Sequence, residues 1–469
     1  MQAATRRPSL RLVAVFSLLC CATAHGADPV PTVSLVNPQA VAPGSGSFTL
    51  KVYGSGFVAG AVVNWNGSER ATTILSGRLA VATIPSSDVG HPGAGIITVT
   101  NPNGRTSSAS SGLVEVGRAT TGFSLNKPNF YGGRNDAIVH AITADFNGDG
   151  NLDIVESGSN SFLSVALGGG DGTFKRSAKF KTQGPASLAY GDFNNDGKLD
   201  FVFMSSHVRF MEGSGHGTFT AGQNTANFPN PGDIVVADFN GDGNLDLAIS
   251  NAQADTVSII LGAGNGTFHT QTDYRMLNSP SDLVTGDFDG DGNLDLAVIN
   301  GVKGGGRAIS VFLGQGNGNF LPPQTVSSVN ETNGGSARRL FIADFNGDSW
   351  LDLAVGERGG ISVLMGNGDG TFQSPVHYGS GFVDRQQFTF AVGDFNCDGN
   401  TDLVTSAVSN GHFALLEGNS DGTFKSAVLV NLPDHFSGPN GIVVGDLNSD
   451  GLLDFILQPG PSGIAVYTQ

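Results

Sequence analysis

Asp145, Asn147, Asp149 and Asp153 stand at positions 1, 3, 5 and 9 of the segment Asp-Phe-Asn-Gly-Asp-Gly-Asn-Leu-Asp. Three carboxylates and an amide spaced this way can turn their oxygens toward one point. Hard cations such as Ca2+ take about six to eight oxygens, so calcium coordination is the chemistry to expect. Gly150 at position 6 permits a sharp turn, and Asn151 at position 7 can offer its backbone carbonyl. Without a cation, carboxylates packed so closely would repel.

Six further copies begin at Asp192, Asp238, Asp287, Asp344, Asp394 and Asp446. Their side-chain ligands would be Asp192, Asn194, Asp196 and Asp200; Asp238, Asn240, Asp242 and Asp246; Asp287, Asp289, Asp291 and Asp295; Asp344, Asn346, Asp348 and Asp352; Asp394, Asn396, Asp398 and Asp402; and Asp446, Asn448, Asp450 and Asp454. Lys198, Asn244, Asn293, Trp350, Asn400 and Leu452 occupy position 7, where the backbone carbonyl would serve. One such run is a moderate signal, because Asp/Asn/Gly runs are also ordinary turns, but seven in register argue for up to seven structural calcium ions. They are not EF-hands: position 12 carries no Glu, and the flanks read as strands. Loop 4 has a fourth carboxylate, Asp289, and should bind most tightly. Loop 5 has Ser349 where the others have Gly, and a demand for positive φ there would strain it.

The elements that position these loops follow from the spacing. Successive copies are 47, 46, 49, 57, 50 and 52 residues apart, a period that points to an array of supersecondary units. About twenty residues beyond each loop start comes a second signature, clearest as Leu167-Gly-Gly-Gly-Asp-Gly-Thr-Phe174 and repeated at Leu261–Phe268, Leu313–Phe320, Met365–Phe372, Leu416–Phe424 and, more loosely, Met211–Phe219. A strand entering the loop, strands at Leu152–Glu156 and Leu163–Leu167, a glycine turn and a strand from Thr173 make four strands per unit, the blade of a β-propeller. The paired motifs resemble the FG-GAP/VCBS repeat family, which includes the propeller of integrin α subunits. The resemblance covers about three quarters of the chain and implies calcium loops on one face, without implying integrin function. The fold expected is all-β, a seven-bladed propeller over 119–469. The last repeat ends at Gly463–Gln469 without a fourth strand, and Thr121-Gly122-Phe123 with Phe130 has the sequence to supply it, so 119–131 should complete the seventh blade.

Ahead of the repeats, 29–117 reads as a small immunoglobulin-like β-sandwich: Phe48–Gly54 alternates, Val62–Trp65 runs into the turn pair Asn66-Gly67, and Leu79–Ile84 and Gly95–Thr100 are further strands. Val52–Phe57, Val63–Gly67 and Ile97–Pro102 resemble the IPT/TIG family, which implies a fold and, by default, a spacer or docking module. Residues 1–26 read as a secretory signal, with Arg6, Arg7 and Arg11 before the apolar Leu12–Leu19 and small residues at Ala22–Gly26, so a secreted or cell-surface protein is expected, with no membrane span after signal removal. Cys20 and Cys21 fall inside that signal, leaving only Cys397 at loop position 4 and no internal disulfide.

The chain carries 41 acidic and 24 basic residues, net −17, and the loops hold 22 of the acids. Without 1–26 the charge is −20, and seven Ca2+ would bring it to about −6. Nucleic acid is a poor match as a partner for such an acidic chain. Ligand-binding residues concentrate on loops held by a rigid scaffold, and the loops of the opposite face diverge between repeats. Five positions before each loop stand His140, Ser187, Asp233, Asp282, Arg339, Thr389 and Gly441, expected to ring the channel mouth. Lys303, Arg307, Arg338, Arg339, Arg358 and Arg385 cluster in the long connections of units 4 to 6, near Tyr378, Phe382 and Phe388. They suggest a site for a polysaccharide, another glycan or a surface protein, competing with the plainer reading of solvated loops. No HExxH, G-x-S-x-G or phosphate loop appears, so a binding module is favoured over an enzyme; a polysaccharide lyase using Arg339 with His140 is the alternative.

Overall fold

The computed structural model describes residues 31–469 except 38–39, 42–45, 91–92, 103, 108–112, 117–124, 127, 132–137, 159–160, 183, 185–186, 206, 229–230, 303–305, 330–338, 358, 382–387, 397, 408–411, 433–440, 451 and 458–463. The signal reading at 1–26, Thr121–Phe123, Lys303, Arg338, Arg358, Phe382, Arg385 and Cys397 lie outside the described residues.

Every described regular element is a strand. The first repeat unit forms a four-stranded antiparallel sheet from Ile138–Ala144, Asp153–Gly158, Phe162–Gly168 and Phe174–Lys181. Five more sheets follow the same order, starting at Ser187, Pro231, Leu283, Arg339 and Phe388. The seventh comprises Ile442–Gly445, Asp454–Leu457 and Ile464–Tyr467, and its fourth strand is Asn129–Tyr131 from the N-terminal side, antiparallel to Ile464–Tyr467. The second strands are buried along almost all of their described length, Asp295–Gly301 completely, because a neighbouring sheet covers each face. The fourth strands, such as Phe174–Lys181, alternate between half-buried and exposed, as outer strands with one wet face should.

The apolar cores lie between sheets rather than within them. Ala144, Phe146, Val155 and Leu163 of the first sheet pack with Leu188, Phe201 and Met211 of the second, and each following pair shares a core of the same kind. Between the seventh sheet and the first lie Leu447, Ile456, Ile464 and Val466 against Ala141, Ile154, Phe162 and Ala166. The first strands neighbour one another in sequence order, and Ile442–Gly445 lies against Ile138–Ala144.

The N-terminal part contains two sheets around one core. The first pairs Thr32–Asn37, Phe48–Ser55, Leu79–Ile84 and Ala71–Ile74; the second pairs Ala40–Val41, Leu113–Val116, Gly93–Thr100, Val62–Trp65 and Ser68–Glu69. Leu50, Val52, Val63, Trp65, Ala82, Ile84, Ile97 and Val99 fill the space between them. Gly95 is needed there, since a Cβ would fall 2.2 Å from the Trp65 ring.

Candidate metal loops and the opposite face

Each aspartate loop joins the first and second strands of a sheet, and its backbone shape is set by its own carboxylates. Asp145 accepts from the amides of Gly148 (2.7 Å), Asp149 (3.2 Å) and Gly150 (2.8 Å). Asp149 accepts from Asn151 N at 2.9 Å. Positions 4 and 6 take positive φ: +76° and +89° at Gly148 and Gly150, and +73° and +74° at Gly347 and Ser349. Ser349 therefore sits in the left-handed region, as the glycine pattern implies. Position 4 makes the same demand, which Asn195 (+58°) and Ser449 (+61°) also meet.

The position-9 aspartates are completely buried. One oxygen accepts from the position-2 amide at 2.8–3.0 Å in all seven loops. The other accepts, at 2.7–2.9 Å, from the first glycine of the second signature: Gly168, Gly213, Gly262, Gly314, Gly366 and Gly418. In the last sheet Gln469 N replaces that glycine at 3.0 Å. A Cβ on Gly168 would stand 2.2 Å from the Leu152 carbonyl, so this tie requires glycine. Burial, reinforced by neighbouring loop carboxylates and opposed by these amides, pushes Asp153 up to about 6, Asp200, Asp352 and Asp454 to about 7, and Asp246, Asp295 and Asp402 to about 8. The clamping role of position 9 was missed by reading the loop alone; the fixed distance from that Asp to a glycine was the available signal.

The loops differ at position 3. In loops 1, 3, 5, 6 and 7 the Asn side-chain amide donates to the position-5 carboxylate at 2.9–3.1 Å. In loop 2, Lys198 Nζ reaches Asp196 at 3.1 Å. Loop 4 has Asp289 instead, and oxygens of Asp287, Asp289 and Asp295 lie within 4.8 Å of one another. Asp287 Oδ1 is buried without a hydrogen-bond partner. A converging, partly orphaned all-oxygen donor set fits a hard divalent cation.

The two signatures also join adjacent sheets. Phe at position 2 meets the signature Phe of the next sheet edge-to-face: Phe146–Phe219, Phe193–Phe268, Phe239–Phe320, Phe288–Phe372 and Phe345–Phe424, with ring centroids 5.5–5.7 Å apart. The amides of Gly266, Gly318 and Gly370 donate at 2.9 Å to the carbonyls of Phe193, Phe239 and Phe288. Gly172 N makes the same bond to Leu447 O at 3.1 Å, across the junction of the last and first sheets.

At the other end of the first strands, the expected ring residues meet in part. Arg339 Nη1 lies 3.3 Å from Asp282 and 3.9 Å from Asp233, and Asp282 accepts from Leu340 N at 2.6 Å. Ser187 Oγ donates to Gly232 O at 2.9 Å. Burial pushes Asp282 well above the usual carboxylate range, Arg339 opposes this, and a hydrogen bond with Asp233 adds to it. Burial holds the His140 imidazole below its usual value, against the pull of Asp233 and with the push of Arg339, and His140 Nδ1 is buried without a hydrogen-bond partner. Thr389 is buried close by in chain register, its carbonyl accepting from Thr405 at 3.3 Å. Of the arginines grouped from the sequence, Arg307 donates to Ser279 O (3.1 Å) and Ser281 Oγ (3.4 Å), and Arg339 is held by the two aspartates. The described members are thus engaged by the protein's own acceptors.

Repeated four-stranded sheets sharing inter-sheet cores, with first strands side by side, define a β-propeller. The FG-GAP-like repeat family matches residues 145–203, 192–249, 238–298, 287–355, 344–405 and 398–457, and the chain belongs to that family. The first five matches each run from one aspartate loop through the next, so the matched span reaches all seven loops. No curated protein matches the chain. Among solved structures, the N-terminal part of BBS1, solved in complex with ARL6, is 11% identical with a TM-score of 0.50, covering 74% of this chain and 96% of that one. A lectin of Agrocybe aegerita that recognises non-reducing terminal N-acetylglucosamine is 21% identical (TM-score 0.48; 67% and 84% covered). A protein of unknown function from Desulfotomaculum acetoxidans is 14% identical (TM-score 0.47; 76% and 95% covered). Among the described residues no helix is long and apolar enough to cross a membrane.

Proposed function

We propose that this chain is an exported, seven-bladed propeller that binds carbohydrate on the face opposite its aspartate loops, with calcium in those loops as a structural element. Closure by the strand Asn129–Tyr131 is supported by the core and the glycine–carbonyl bond that the last and first sheets share. The N-terminal two-sheet unit serves in this reading as an IPT/TIG-type spacer or docking module.

The observation that carries the binding function is the group Asp233, Asp282, Arg339 and His140. Four different sheets, with Asp282 just ahead of the strand Leu283–Gly286, bring these side chains together, and they follow no repeat. One buried and one half-buried carboxyl, a guanidinium and an imidazole offer acceptors and donors in the mixture that sugar hydroxyls require. Because Arg307 and Arg339 already have acceptors, a neutral glycan fits better than a polyanion. A glycan array with and without calcium tests this: Arg339→Ala should lower retained binding at least tenfold, while Lys425→Ala, on the loop side, should leave it unchanged. Binding unaffected by Arg339→Ala would reject the assignment.

The pairing of Asp282, whose carboxyl burial pushes well above the usual carboxylate range, with Asp233 also favours a second reading, a carbohydrate-active enzyme using the two as acid and base. Release of unsaturated or reducing sugar from polysaccharide, abolished by Asp282→Asn, would select it over the binding module.

The calcium would be held by the position 1, 3, 5 and 9 side chains and the position 7 carbonyls, and it would supply charge neutralisation that fixes the loops. Support is strongest at loop 4. Calorimetry should show Asp289→Asn weakening the tightest site several-fold; an unchanged isotherm would count against this ranking.

A further inference from the structure

The aspartate-loop face is partly covered by the N-terminal two-sheet unit. Arg78, in the turn between Ala71–Ile74 and Leu79–Ile84, is 6% exposed. Its Nη1 donates to Asn293 Oδ1 and its Nη2 to Gly316 O, both at 3.2 Å. Asn293 is position 7 of loop 4, and Gly316 lies in the glycine turn of the same sheet. Arg78 also reaches loop 3, since a Cβ on Gly241 would stand 2.9 Å from Nη2. Ser76 fills the space above Gly292, 3.3 Å from where its Cβ would be. On the adjoining strand, Lys51 Nζ donates to Ser349 O of loop 5 at 2.9 Å and lies 5.3 Å from the Trp350 ring centre.

Two cations thus rest on three consecutive loops that hold ten carboxylates, from Asp238 to Asp352. The direct acceptors of both are neutral: an amide oxygen and backbone carbonyls. Compensation of a buried guanidinium's charge therefore falls to the loop carboxylates around it, which are the groups a divalent cation would neutralise. A cation in loops 3 to 5 removes the field that favours Arg78 there and adds repulsion at close range. By reciprocity, docked Arg78 weakens cation binding by the same factor.

We propose that Arg78 and Lys51 form a latch that docks the N-terminal unit on loops 3 to 5, and that docking and cation loading of those loops oppose each other. Low calcium would keep the unit clamped to the loop face, and high calcium would release it. The competition rests on the calcium reading above; the docking rests only on the contacts.

The full chain, as wild type, Arg78→Gln and Arg78→Glu, should be followed by small-angle X-ray scattering and by hydrogen exchange of the Leu75–Arg78 turn, in EDTA and across a calcium titration. Calorimetry of the same samples reports calcium binding. Wild type in EDTA should be compact with a protected turn, and calcium should raise both its radius of gyration and its exchange. Both variants should be extended and fast-exchanging already in EDTA, and Arg78→Gln should bind calcium about five-fold more tightly at its affected sites. Calcium binding with no change in wild-type dimensions or exchange would overturn the competition. Equal scattering and exchange of wild type and Arg78→Gln in EDTA would overturn the docking. No calcium heat in any sample would overturn the calcium reading, and the EDTA comparison would still decide the docking. Retained exchange protection in the core strand Val62–Trp65 checks that the variants remain folded.

Discussion

Ser349 holds a φ of +74° at a loop position where other repeats have glycine. A side chain in the left-handed region costs about 1–2 kcal/mol, part of which glycine returns as chain entropy. Its amide donates to Asp344 and its carbonyl accepts from Lys51, and neither bond needs the hydroxyl. Ser349→Gly should therefore stabilise the chain by about 1 kcal/mol in a thermal melt without metal. Asp295 shows the opposite economy. Both its oxygens accept buried backbone amides, from Phe288 and Gly314. Asp295→Asn turns an NH2 group toward one of those donors and should cost about 2–3 kcal/mol in urea unfolding. A loss below about 0.5 kcal/mol would show that position 9 is not a clamp.

At the scale of the element, the loop and the glycine turn act together. The Phe239–Phe320 pair ties loop 3 to the glycine turn of the fourth sheet, within the core those sheets share. Phe239→Ala should cost about 3–5 kcal/mol by the usual price of a buried aromatic, and it should loosen the fourth sheet as well as its own, which hydrogen exchange can read. The seven buried position-9 carboxyls also set a pH dependence. Their folded values, about 6 to 8, lie above the unfolded value of 3.8. Folding of the metal-free chain thus gains from them at acid pH and loses that gain as pH rises through about 6 to 8. A cation needs the ionised form and reverses the trend. In EDTA the melting temperature should fall between about pH 5 and about pH 8.5, and with calcium it should not. Parallel curves with and without calcium would sink this account.

For the whole molecule, the calcium and the ring closure proposed above would be the two large terms. Extracellular calcium sites often have dissociation constants near ~10⁻⁴ to 10⁻³ M, and tenfold excess then adds about 1.4 kcal/mol per site. Seven independent sites would add roughly 10 kcal/mol, as much as the net stability of a domain, so EDTA should lower the melting temperature by many degrees. An unchanged melt after verified metal removal would reject a structural role for calcium. Asn129–Tyr131 covers the open edge of Ile464–Tyr467. A chain beginning at Asn135 should melt well below one beginning at Arg118, and equal melting temperatures would mean that this strand does not lock the ring.

Much of this was legible along the chain. The spacing of Asp, Asn and Gly within each loop dictated the loop conformation, down to the strained serine, because a nine-residue turn is closed by its own side chains and backbone. The period and the paired signatures determined the four-stranded unit and the family, because each unit repeats the same local chemistry. What the tertiary structure decided lies between units. It joined each position-2 phenylalanine to the next sheet and drew His140, Asp233, Asp282 and Arg339 together. It also spent the positive charge of Arg307 and Arg339 internally and laid Arg78 and Lys51 on the aspartate loops. Those contacts join residues from about thirty to almost three hundred positions apart, and local pattern carries no record of which distant surfaces meet when the sheets pack.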